Sequence, residues 1–155
     1  MTVKISKIGD VENIDNLKEI LVALMSKLAS AKYKTELIKL CFILDYKYCQ
    51  TSHKESGPTT VKYVKYNYGP YSDSFVEAFE LLKREGVILE VGLPFGEGFE
   101  LVKPLDINIS SDILKLLENV VAEYGNRSLR EMKEFIYGLE EFKNTEFGKP
   151  IVLFS

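Results

Sequence analysis

The densest run of side chains suited to recognition is Lys62-Tyr63-Val64-Lys65-Tyr66-Asn67-Tyr68-Gly69-Pro70-Tyr71-Ser72. Tyrosine combines a large apolar ring with a polar tip, and lysine adds a point charge. The combination suits a protein interface or, with rings stacked on bases and ammonium groups on phosphates, a nucleic acid. Strand alternation puts Val64, Tyr66 and Tyr68 on one face and Tyr63, Lys65 and Asn67 on the other, so half of these rings are expected in the core. Gly69 allows a backbone conformation that a side chain would forbid. Pro70 pre-sets φ just ahead of a helix, and Ser72 can accept from that helix's first free N–H groups. Protein contact through Lys62, Tyr63, Lys65, Tyr71 and Asp73 leads among the functional readings of the run.

The remaining reactive residues do not assemble into a catalytic set. Asp45 stands between Leu44 and Tyr46 in an otherwise apolar stretch, and burying it uncompensated costs several kcal/mol. It is therefore expected to accept from a tyrosine hydroxyl, or from backbone N–H groups of the Tyr-Gly-Pro turn. No second acid stands at a spacing that suggests acid–base work. Cys41, Cys49 and His53 are too few for a zinc site. On one helix the two cysteines lie about 12 Å apart along the axis, beyond the ~7 Å reach of a disulfide, so reduced thiols are expected. Gly92-Leu93-Pro94-Phe95-Gly96-Glu97-Gly98 lacks the lysine and hydroxyl residue of a phosphate loop and reads as a hairpin tip. No enzyme activity, metal or cofactor is expected.

The elements that must position these residues follow from periodicity. Ile14, Leu17, Ile20, Leu21, Leu24, Met25 and Leu28 mark an amphipathic helix beginning near Asp15. After a turn at 31–34, Thr35 can cap a second helix whose apolar residues, Leu37 to Tyr48, point in every direction, so it should be central and buried. Ser56-Gly57-Pro58-Thr59 is turn chemistry, followed by a short strand over 60–66 that Gly69 and Pro70 should break. Phe75, Val76, Phe79 and Leu82 line a third helix, with Glu80 and Arg84 paired on its outside and Gly86 as its stop. Val87 to Val91 and Phe99 to Val102 predict a β-hairpin. Ser110 or Ser111 caps a fourth helix and Ser128 a fifth, with an irregular tail after Phe142. The expected fold class is α+β and mainly helical: a winged-helix-like core with additional C-terminal helices.

The chain's 155 residues, 46% apolar and 28% charged, fit one globular domain spanning residues 1–155 and exclude a disordered or fibrous class. No apolar run spans a bilayer and the start, Met1 to Asp10, lacks a hydrophobic signal core, so no membrane partner and a cytoplasmic home are expected. The net charge of −3 lacks the basic excess of a nucleic-acid-binding domain. Seven lysines lie between Lys32 and Lys65, and eight acids between Glu85 and Glu123, which predicts two electrostatic faces. The sequence leaves oligomeric state open, a homodimer included.

Leu40 to Asp45, the Gly57-Pro58-Thr59 loop and Tyr66-x-Tyr68-Gly69-Pro70 together resemble the Panacea domain of SocA-like antitoxins and related prophage and archaeal proteins. The resemblance covers mainly residues 35–90. That family has a helix of the form Leu-Leu-Tyr-x-x-Asp, a Gly-containing loop, and a strand ending in Tyr-Gly-Pro before a helix. Leu40, Phe42 or Ile43, Asp45, Gly57, Tyr68, Gly69 and Pro70 occupy those places. The tail from Leu129 through Phe142 to Gly148 and Ile151 is similar to the family's Gly-x-x-Ile ending. The family's tryptophan has no counterpart here, and its place falls on Phe142 or Phe147. The resemblance implies a non-catalytic domain that binds and neutralises a toxin protein encoded nearby or, as SocA does, hands it to a protease.

A winged-helix transcription factor is the alternative, supported by helix order, hairpin and basic stretch. The start of the third helix, with Asp73, Glu77 and Glu80, opposes it because carboxylates repel DNA.

Overall fold

A computed structural model describes residues 12–103 and 105–154. The expected charged start, Met1 to Asp10, lies outside the described residues. The chain runs through α1 (Ile14–Lys27), β1 (Lys32–Tyr33), α2 (Lys34–Ser52), β2 (Val64–Tyr66), β3 (Gly69–Tyr71), α3 (Ser74–Arg84), β4 (Ile88–Leu93), β5 (Gly96–Leu101), α4 (Ser111–Tyr124), α5 (Leu129–Tyr137) and α6 (Glu140–Lys143). The fold is α+β and mainly helical.

Helices α1 to α5 start where a nearby side chain accepts from a backbone N–H at the terminus. The Asn13 side chain accepts from Asp15 and Asn16 at the head of α1. Glu36 accepts from the backbone N–H of Tyr33 at 2.8 Å, so α2 begins one residue before Thr35. Ser110 caps α4, and Ser128 forms a capping box with Glu131 on α5. At α3, Ser72 Oγ accepts from Ser74 N–H at 3.1 Å. The Glu12 carboxylate also reaches that terminus, accepting from the hydroxyls of Ser72 and Ser74.

α2 is the central helix. Every residue from Leu37 to Asp45 is buried, because α2 packs against α1, α4 and α5 as well as β1, β3 and β5. A helix surrounded on all sides needs no polar stripe, which is why its apolar residues point in every direction. The other helices each turn one apolar face to this core, among them Leu17, Leu21 and Leu24 of α1, Phe75 and Leu82 of α3, and Leu117 and Val120 of α4.

Two small antiparallel sheets complete the fold, ordered β1-β5-β4 and β2-β3. The first has the hairpin expected from residues 87–102, with β1 added where only a turn was expected, Lys32 opposite Phe99. Helix, short strand, two further helices and a hairpin, with the strand joined to the hairpin, follow the winged-helix order. The departure lies between α2 and α3, where residues 53–73 carry the second sheet instead of a tight turn.

Several expectations are revised. Gly69 and Pro70 do not break a strand; they form β3, with Tyr66 opposite Gly69 and Lys65 opposite Pro70. Gly69 adopts φ +111° at the end of the Asn67-Tyr68 turn, a conformation open to glycine. Pro70 has no N–H to donate and is tolerated because a two-stranded ribbon consists only of edges. The strand expected over 60–66 is confined to Val64–Tyr66. Glu80 pairs with Lys83 at 3.3 Å in place of the expected Arg84, and Lys83 also reaches Glu90 at 3.0 Å. The basic and acidic stretches meet at two points. Lys34 meets Glu90 at 3.3 Å and Lys47 meets Glu123 at 3.9 Å.

Among the described residues, the tail beyond α6 has no helix or strand, yet it is tied down. Ile151 N–H donates to Tyr63 O (2.9 Å), Gly148 N–H to Lys65 O (2.7 Å) and Lys65 N–H to Lys149 O (3.0 Å). Gln50 Nε2 adds a bond to Leu153 O at 2.6 Å. The tail thus flanks β2 on the side away from β3. Among the described residues, no helix is long and apolar enough to cross a membrane.

Candidate protein-binding site

The site is held in place from below by Asp45. Its carboxylate is fully buried and accepts from Tyr63 Oη at 2.7 Å, from Thr59 N–H at 3.1 Å and from the Thr59 hydroxyl. The expected tyrosine partner is present, but the backbone donor comes from the Gly57-Pro58-Thr59 loop and not from the Tyr-Gly-Pro turn. Gly57 is part of the same arrangement: a Cβ there would stand 2.4 Å from Asp45 Oδ1. Burial pushes the Asp45 carboxyl up to about 6, against the opposing pull of the Thr59 and Tyr63 hydrogen bonds. This cluster joins α2, the loop before β2 and Tyr63, and so fixes where the β2-β3 ribbon leaves the core.

The cysteines lie beside it, free and buried. Burial, with the Asp45 charge added, pushes Cys49 up to about 12 and raises Cys41 well above its usual value. Neither thiol is a thiolate near neutral pH, which removes them as nucleophiles. His53, in a left-handed conformation at the end of α2, stacks on Phe154 with ring centroids 5.0 Å apart. Among the described residues, no three His, Cys, Asp or Glu side chains gather where they could hold a metal ion.

The ribbon presents an aromatic face outward. Tyr66 is 46% exposed, Tyr68 76% and, from the tail, Phe147 61%. The Tyr66 ring lies 5.8 Å from both Tyr71 and Phe147. Three large rings exposed together are unusual on a surface that meets only water. Beside them, Ile38, Lys39, Tyr66, Tyr68, Pro70 and Tyr71 border an open groove of about 240 Å³ between α2 and the ribbon. Lys39 is the unexpected member. It is buried and donates from Nζ to Tyr68 O. Burial, with the positive charge of Lys133 added, lowers its pKa to about 8.

Of the five residues expected to bind a partner, Tyr71 borders this groove and is half-buried, and Asp73 is exposed just beyond it. Lys62 is exposed but borders a different depression, with Val61, Pro150 and Ile151. Tyr63 must be withdrawn as a contact residue, because it is 1% exposed and its hydroxyl is committed to Asp45. Its ring packs edge-on against Phe42 at 5.0 Å. Lys65 is likewise engaged within the chain, donating to Phe142 O at 2.9 Å with its Nζ 4.5 Å from the centre of that ring. Of the expected structural positions, Asp45 and Gly57 form the buried cluster, while Tyr68, Gly69 and Pro70 shape the ribbon.

Sequence reasoning missed Lys39, Ile38, Tyr66 and Phe147 as groove or surface residues. The signal for Lys39 was available, since a lysine between Ile38 and Leu40 is as anomalous in a buried helix as Asp45. Phe147 carried none, because its approach to Tyr66 depends on the fold of the tail. No protein-family model, curated protein or solved structure matches the chain.

Proposed function

We propose that this chain is a non-catalytic regulatory domain that binds a partner protein, an antitoxin-type domain that neutralises a toxin encoded by a neighbouring gene. The observation that carries the reading is the exposed aromatic face of Tyr66, Tyr68 and Phe147 beside the groove bordered by Tyr71. Tyrosine-rich patches supply large contact area with few rotatable bonds, the property of interface anchors. The rigid base under the ribbon supports the same reading, because a surface that is already ordered loses less entropy on binding. The likeness of Asp45, Gly57 and Tyr68-Gly69-Pro70 to the antitoxin domain motif supplies the kind of partner. The test is co-expression of the tagged chain with the product of its adjacent gene. A stoichiometric partner lost with Tyr71→Ala, and growth rescued from that partner's toxicity, are the expected results. Recovery of no partner together with no rescue would remove the reading.

A second reading, a winged-helix DNA-binding regulator, is favoured by the β1-β5-β4 sheet, whose hairpin tip carries Phe95 at 93% exposure. The exposed Asp73, Glu77 and Glu80 of the α3 region oppose it, and Lys83 is occupied by Glu80 and Glu90. Binding to the chain's own upstream DNA at low ionic strength, weakening steeply with salt, would establish it; absence of binding there would eliminate it.

A further inference from the structure

Lys39 is anomalous in two respects that together suggest a ligand. It is 3% exposed, and among the described residues only one of its three N–H donors has a partner, the carbonyl of Tyr68. Among the described residues, neither Lys39 nor the half-buried Lys133 of α5 lies within 4.0 Å of a carboxylate. Buried cations are ordinarily paired, since an ammonium removed from water without a counter-charge is costly. Here the two lysines add their charges instead. The ammonium also lies beside Gly69, where a Cβ would stand 3.2 Å from Nζ and 3.7 Å from the ring of Tyr137. The glycine therefore adds no side chain of its own on that side of the Lys39 head group, where the Tyr137 ring also stands.

The surroundings define the rest of the ligand. Apart from Lys39 and Thr35, the groove is bordered by Ile38, Pro70, Gly69 and three tyrosines, so its occupant must be mainly apolar. At about 240 Å³ it falls below the range of about 300–1,000 Å³ typical of small-molecule sites. It lies open beside exposed rings, which suits a side chain or two of a longer segment crossing the surface.

We infer that the groove is a socket for an acidic segment of a partner polypeptide, with an apolar side chain seated between Ile38 and Pro70 and a neighbouring carboxylate paired with Lys39. The inference rests on the protein-binding reading and specifies its chemistry. The carboxylate supplies the missing counter-charge, while Tyr66, Tyr68 and Tyr71 cover the apolar part. Lys133 strengthens the attraction from the α5 side.

The full chain, labelled at lysine and tyrosine, is titrated by NMR with the blocked peptide acetyl-Gly-Leu-Asp-Phe-Gly-amide and with its Asn counterpart. The Asp peptide is expected to perturb Tyr66, Tyr68 and Tyr71, to raise the Lys39 titration above about 8, and to bind at least about tenfold more tightly than the Asn peptide. Lys39→Met should abolish that preference and Lys133→Gln should reduce it, with both variants retaining the wild-type amide spectrum away from the groove. Equal binding of the two peptides, or no perturbation of these residues at the solubility limit, overturns the inference. Tighter binding of 3-phenylpropionate than of the Asp peptide also overturns it, in favour of a small acid. A partner protein captured equally by Lys39→Met and wild type would sink the socket and leave the protein-binding reading intact. A chain that captures no partner would remove that reading, while the peptide titration still decides the chemistry of the groove.

Discussion

Replacing Asp45 by asparagine keeps the side chain's shape and removes its charge, which makes the buried cluster measurable. Burial lifts the carboxyl from its ordinary 3.8 to about 6, a difference of roughly 2 pK units, or about 3 kcal/mol at 1.36 kcal/mol per unit. The folded protein holds the Asp45 proton more tightly than the unfolded chain. Its contribution to stability is therefore fully present below about pH 4 and is lost as pH rises through about 6. Asparagine has no such titration. The stability of wild type minus that of Asp45→Asn should consequently rise by about 2.4 kcal/mol between pH 7 and pH 4, equivalent to roughly 5–10 °C in melting temperature for a chain of this size. Carboxylates such as Glu90, held near about 2 by its hydrogen bonds to Glu97, Lys83 and Lys34, titrate in both proteins and cancel from the difference. Urea unfolding of the pair at pH 7, 6, 5 and 4 gives the curve. A difference that stays flat within about 0.5 kcal/mol, or that shrinks on acidification, refutes the account of Asp45 as a desolvated carboxylate.

Other substitutions probe the cluster and the groove separately. Gly57→Ala places a Cβ 2.4 Å from Asp45 Oδ1 and should destabilise by about 2–3 kcal/mol; a thermal shift corresponding to less than half of that would show that the loop can move aside. Lys39→Met removes an ammonium whose burial lowers its pKa from 10.5 to about 8, a penalty of about 3 kcal/mol at neutral pH. After loss of the bond to Tyr68 O, a net gain of about 1–2 kcal/mol is expected at pH 7. The gain should diminish between pH 8 and 10.5 as the folded lysine becomes neutral, and denaturant unfolding that shows a loss at pH 7 contradicts it. Tyr68→Ala, at a ring that is 76% exposed, should change stability by less than about 0.5 kcal/mol while abolishing capture of the partner; a folded variant that still binds normally would remove Tyr68 from the interface.

Much of the architecture was legible because it depends on local signals. The all-round apolar run from Leu37 to Leu44 could only be a central helix, and Ser110 and Ser128 cap the helices that follow them. The hairpin around Pro94 and Gly96 followed from its turn chemistry. What was not legible depends on distant pairing. Lys32 and Tyr33 become β1 only because β5 lies alongside, and two residues carry no periodicity. Gly69-Pro70 has breaker composition, yet pairing with β2 makes it a strand. Tyr63 is drawn inward by an acceptor 18 residues earlier, Asp45, so alternation within the strand alone could not distinguish its fate from that of Tyr66. The exposed aromatic face and the groove therefore lie in the segment singled out from the sequence, but partly on other side chains, since Tyr63 is buried while Tyr66 and Phe147 are exposed.

Hydrogen exchange on the purified complex with the neighbouring gene product tests the central claim most directly. Protection of the amides from Tyr66 to Tyr71 and around Phe147, relative to the free chain, is the predicted result. Protection confined to α3 and the β4-β5 tip, with residues 66–71 exchanging as in the free chain, would contradict binding through the aromatic face.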